Sequence, residues 1–158
     1  MAKIFIFRGV KFICYKIQNT IGMSGDLEEL RKKFIVKEKL DEKRIAEYVN
    51  RVLRFGKIAI DGDAIIERED LSTKDKVGLV LIMRLLASHL EKRISAEISV
   101  AEVSRMLDLP KDQAAARLAE LVEDKIAIRT DKGVYRTNPP KIGKFLDYLE
   151  SKYKVRET

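Results

Sequence analysis

The chain is short of the residues from which several kinds of site are built. A single cysteine, Cys14, stands among 158 residues. Neither a disulfide within the chain nor a cysteine metal cluster can then form. The one histidine, His89, has no cysteine or histidine at ligand spacing and reads as a core or interface residue. Tryptophan is absent, Gln occurs twice and Asn three times, while charged residues reach 36%. Abundant Lys, Glu and Arg with few thermolabile side chains is the bias of heat-loving prokaryotes, and an archaeal, thermophilic source is the expectation. No apolar run approaches the roughly 20 residues that cross a bilayer. The longest, 77–90, is broken by Arg84. The apolar start is interrupted by Arg8, Lys11 and Lys16, unlike a secretory leader, so a cytoplasmic location is expected.

Signs of catalysis are also missing. There is no glycine-rich phosphate loop and no nucleophile–base motif, so neither an enzyme nor a cofactor is expected. Asp61 and Asp63 flank Gly62 in a turn, where Asp is favoured for bonding to nearby backbone. The further oxygen ligands and distal Glu of a calcium loop are lacking.

What the chain does have is apolar content and unevenly placed charge. At 46% apolar residues it can build a core, as one ordinary domain or a small domain with a helical annex. The formal charge is +7, of which residues 1–22 supply +4 with no acid. Residues 94–124 hold three basic and seven acidic residues, −4, whereas 125–154 hold eight basic and three acidic, +5.

Residues 1–22 form a basic, apolar segment. KIFIFRGVKFICYKI (3–17) suits a strand pair at a sheet edge, and an upstream extension before a start at Met23 is the other reading. Residues 23–70 read as an annex of helices and one hairpin. A short helix over 26–34 puts Leu27, Leu30 and Phe34 on one side. Asp41 caps a second helix with an apolar stripe at Ile45, Tyr48, Val49, Val52 and Leu53. Gly56 is expected to stop that helix in the left-handed conformation. KIAIDGDAIIER (57–68) then makes a hairpin across Asp61-Gly62-Asp63.

Ser72 and Asp75 form a capping pair for a long helix to about Lys92, apolar nearly all round. Such a helix needs cover on more than one side, which makes it a hub or part of a dimer interface. ISAEIS is a short strand, and Ser99 with Glu102 makes a capping box. Val100, Val103, Met106 and Leu107 face inward. Asp108-Leu109-Pro110 turns the chain into a helix over 111–124, with Ala114, Leu118, Leu121 and Val122 inward. KIAIRT and GVYRT pair across Asp131-Lys132-Gly133, with Tyr135 anchoring the hairpin. A last amphipathic helix in 139–158 opens on Pro139 and Pro140 and lines up Ile142, Phe145, Leu146, Leu149 and Tyr153. A faint internal echo links RIAEYV and KIAI (44–49, 57–60) to RLAELV and KIAI (117–122, 125–128).

The stretch SVAEVSRMLDLPKDQAAARLAELVEDKIAI followed by RTDKGVYR resembles the winged helix-turn-helix superfamily, as in archaeal-type transcription regulators. The likeness covers 71–138. It implies a mainly α, α+β fold whose second helix of the turn enters the major groove while the hairpin, the wing, touches backbone.

That resemblance makes double-stranded DNA the expected partner and transcription regulation the expected role, with Lys111, Gln113 and Arg117 facing the groove. Gln and Arg match base-edge donors and acceptors, and Lys reaches phosphate. Asp112 and Glu120 repel the backbone. The positive field lies on the wing and the last helix, and the wing residues Arg129, Lys132 and Arg136 are expected to dominate phosphate contact. The alternative is a winged-helix module for protein interaction or assembly; RNA is a third. A homodimer through the long helix or the last one is expected, and no membrane partner.

Overall fold

The computed structural model describes residues 20–35 and 40–154. The chain divides into two compact units, residues 1–38 and 39–158. The strand pair expected over 3–17 lies outside the described residues. In the first unit, α1 (Thr20–Phe34) starts ahead of the expected residue 26 and runs through Gly25. Its Leu27, Leu30 and Phe34 are exposed.

The second unit is mixed α+β: five helices and two small antiparallel sheets among its described residues. Helix α2 (Glu42–Val52) is capped by Asp41, whose carboxylate accepts the Arg44 amide at 2.8 Å. Ile45, Tyr48 and Val52 are buried, but Leu53 falls past the helix end and is exposed. Gly56 does not cap α2. It opens strand β1 (Gly56–Ile58), which pairs with β2 (Ala64–Ile66). A Cβ at Gly56 would sit 2.4 Å from the Ile65 carbonyl oxygen, so close approach of the paired strand, not backbone handedness, requires glycine there. Gly62 takes the hairpin turn at φ 96°.

Helix α3 (Thr73–Leu90) is the hub. Leu79, Ile82, Met83 and Leu86 pack with α2 and with the last helix, α6 (Ile142–Lys152). Val77, Val80 and Leu81 pack into a second cluster with Val103, Leu118 and Leu121. The chain itself therefore covers a helix apolar on every side, and α3 needs no dimer partner to bury it. His89 is not in the core: it lies on the exposed last turn, its Nδ1 2.9 Å from the Leu85 carbonyl oxygen.

Strand β3 is only Ile98–Ser99. Next, α4 (Val100–Leu107) opens with the expected capping box, Ser99 and Glu102 each bonding the other's backbone amide. Asp108 ends α4 at φ 53°, and Pro110 precedes α5 (Lys111–Glu123). Lys125, left-handed at φ 66°, closes α5, with the Ile126 amide donating to Leu121 and the Lys125 amide to Val122. Strands β4 (Ala127–Asp131) and β5 (Val134–Thr137) form a hairpin, and the sheet order is β3-β5-β4. Tyr135 is buried beneath it. Pro139–Lys141 make a 3₁₀ turn before α6. The two KIAI stretches do not occupy equivalent places: Lys57 lies within a strand, whereas Lys125 is a helix cap.

One buried cation ties α3 to α4. Arg84 donates from Nη2 to Glu102 at 2.9 Å, while its buried Nε and Nη1 find no partner among the described residues. Burial pushes the Glu102 carboxyl up, but the Ser99 amide and Arg84 outweigh it and hold it below its ordinary value. An under-satisfied buried guanidinium contributes little net stability. Arg84→Met should therefore change stability by less than about 1 kcal/mol, or raise it. Glu102→Ala, which strands the guanidinium and undoes the cap, should cost about 2–4 kcal/mol. Denaturant midpoints of the two variants check the contrast.

Candidate nucleic-acid interface

Three of the six residues singled out for nucleic acid share the β4–β5 hairpin. Strand register pairs Arg129 with Tyr135 and Ile128 with Arg136. Directly opposed residues share a face, so Arg129 and Arg136 point to opposite faces of the hairpin. Arg129 is exposed and donates from Nε to the Asp131 carbonyl at 3.3 Å; Arg136 is half-buried. Lys132 is exposed at the tip, where its amide donates to the Asp131 carboxylate and Gly133 supplies φ 70°.

Lys111 and Gln113 sit exposed in the first turn of α5. Arg117 is placed otherwise. Its Nη2 pairs with Glu120 at 3.1 Å, and its Nε is buried without a partner among the described residues. Glu120 in turn lies 3.9 Å from Lys74 at the start of α3. The guanidinium is thus held along the flank of α5 instead of on its outer face. That outer face carries Asp112, Ala116, Ala119 and Glu123, all exposed and at helical spacing. Among the described residues no hydrogen bond or ion pair joins the α5 group to the hairpin group.

Several cations elsewhere in the unit are paired with acids, although Lys43, Lys76, Lys92 and Lys111 have no ion pair among the described residues. Arg51 and Arg54 pair with Glu150, Lys57 with Glu67, Arg68 with Asp70, Lys74 with Asp124 and Arg105 with Asp63. Asp63 is held below the usual carboxylate range, chiefly by the Arg105 guanidinium. None of Lys125, Arg129, Lys132, Arg136, Lys141 and Lys144 has an ion pair among the described residues. Charge counting locates this positive region but cannot show that it is unneutralised. Lys125, Lys141 and Lys144 escape a reading by motif because they lie outside the hairpin turn and the helix-turn-helix segment.

Among the described residues there is no group of three or more His, Cys, Asp or Glu placed to hold a metal ion, and no helix long and apolar enough to cross a membrane. Comparison of the chain with protein-family models, with curated proteins and with solved structures finds no match.

Proposed function

We propose that residues 71–138 form a winged helix-turn-helix domain that binds double-stranded DNA mainly through phosphate contacts of the wing, in the manner of a transcription regulator. The order α3, β3, α4, α5, β4, β5 and the sheet order β3-β5-β4 support the winged-helix part. The observation that carries the DNA reading is the run of cations from Lys125 to Lys144 without carboxylate partners among the described residues. Unpaired cations release condensed counterions from DNA, whereas paired ones have already spent their charge. Cations on both faces of one hairpin suit a groove with phosphates along both walls. Lys111 and Gln113 are then the α5 residues placed for phosphate and base edge, and Arg117 contributes only if it leaves Glu120.

The test is duplex binding across a salt series, using several unrelated sequences. Log affinity should fall linearly with log salt. The triple variant Arg129→Ala, Lys132→Ala, Arg136→Ala should flatten that slope by about 2–3, near 0.9 for each phosphate no longer neutralised, and weaken every sequence alike. Salt-insensitive or absent binding overturns the reading.

A protein-interaction role is the second reading, and the outer face of α5 favours it. Ala116 and Ala119, exposed between Asp112 and Glu123, present neither base-reading groups nor phosphate donors, but they allow close packing of a partner.

A further inference from the structure

A cleft of about 370 Å³ opens where the first turn of α3, the C-terminal end of α5 and the first turns of α6 meet. That size falls at the small end of ligand pockets, which span roughly 300–1,000 Å³. Its apolar wall is made by Ile126, Phe145 and the ring of Tyr148. Both carboxylates at its edge are already engaged. Asp124 accepts from Lys74 at 2.6 Å, and Asp75 accepts from Lys152 at 3.0 Å. Lys141 and Lys144 line the same cleft with no ion pair among the described residues. They stand three apart at the start of α6, close enough to repel one another.

The backbone of the 3₁₀ turn Pro139–Lys141 does not provide the attraction. Pro139 and Pro140 have no amide hydrogen, and the Lys141 and Ile142 amides already donate to Asn138 and Pro139. The recognition elements are therefore two side-chain ammonium groups beside an apolar wall. That combination disfavours a cation, because the acids are neutralised. It also disfavours a bare inorganic anion, which would leave the wall wet.

We propose that this cleft binds a small organic anion with a flat apolar body, its carboxylate or phosphate held by Lys141 and Lys144 and its body against Ile126, Phe145 and Tyr148. This goes beyond the DNA reading and stands without it, because its test contains no nucleic acid.

The experiment titrates the full chain with 1-naphthoate, with acetate and 1-naphthalenemethanol as controls, following the Ile126 methyl and the Phe145 and Tyr148 ring resonances by NMR. Saturable shifts at those three residues are expected with 1-naphthoate, and markedly weaker ones with either control. Lys141→Ala and Lys144→Ala should each weaken binding by about 10-fold, the usual scale for one charge-assisted hydrogen bond. Both lysines are outside the core, so an unchanged melting temperature shows that the variants are folded. Absence of saturable shifts with the native chain overturns the proposal. So does equal binding of acetate or the neutral alcohol, or lysine variants that bind like the native chain.

Discussion

Asp75→Ala should lower stability at neutral pH by about 2–4 kcal/mol, although the side chain lies in the first turn of a helix, where alanine is ordinarily harmless. Asp75 is only 2% exposed. Its Oδ2 accepts from the Tyr153 hydroxyl, from Lys152 at 3.0 Å and from the Tyr148 hydroxyl at 3.4 Å. The Tyr153 hydroxyl also accepts the Ser72 amide at 2.9 Å. The capping pair expected from sequence is thus half direct and half relayed. Ser72 accepts the Asp75 amide at 3.2 Å, and the return path runs through a tyrosine 78 residues from Asp75. Removing the carboxylate leaves the half-buried Tyr153 hydroxyl with the Ser72 amide but without its acceptor, and a polar group that loses its partner on burial costs about 1–3 kcal/mol. Lys152 regains water, which moderates the loss.

The pH dependence of this site has a definite sign. Burial pushes the Asp75 carboxyl up, but hydrogen bonds from Tyr153, Lys152 and Ser72 outweigh it and leave it below its ordinary value. A carboxyl held low in the folded chain stabilises it above the unfolded value and loses that contribution as pH falls towards the folded one. The difference in stability between the native chain and Asp75→Ala should be constant through neutral pH and shrink below about pH 4. Denaturant midpoints measured from neutral pH down to about pH 3 check this. A difference that stays constant to the acid end would remove the carboxylate from the account.

Phe145→Ala should cost about 3–5 kcal/mol, the range for deleting a buried aromatic ring. Phe145 is 4% exposed and meets α3 at Gly78, where a Cβ would lie 2.6 Å from the ring's Cζ. Gly78 is therefore the notch that admits the ring. Gly78→Ala alone gains about 1 kcal/mol of helix propensity but forces the ring aside, an overpacking cost of about 1–3 kcal/mol, so it should be net destabilising. With Phe145→Ala already in place the clash is gone, and the same Gly78→Ala should stabilise by about 1 kcal/mol. The reversal of sign in a double-mutant cycle is the measurement; additive effects would show that ring and notch are not coupled.

Local chemistry is the readable part of this chain. The capping box of Ser99 and Glu102, the left-handed turn glycines Gly62 and Gly133, and Pro110 ahead of α5 depend on residues at most a few positions away. Gly56 reads as a helix cap in sequence because the atom that excludes its Cβ belongs to Ile65, across a hairpin. His89 has the apolar neighbours of a core residue, but α3 turns that position outward at its last turn. Arg117 has helical spacing suited to a groove, yet Glu120 draws it along the flank of its helix. The cleft at Lys141 and Lys144 leaves no sequence signal, since its walls come from three separate elements.

The order of helices and hairpins and the uneven spread of charge were determined by the sequence alone, because hydrophobic period and capping act over three or four residues. Which of those charges stay unspent was decided only in three dimensions. Lys74 meets Asp124 at a separation of 50 residues, and Arg51 meets Glu150 at 99. Coulomb attraction depends on distance through space, and tertiary packing alone sets that distance.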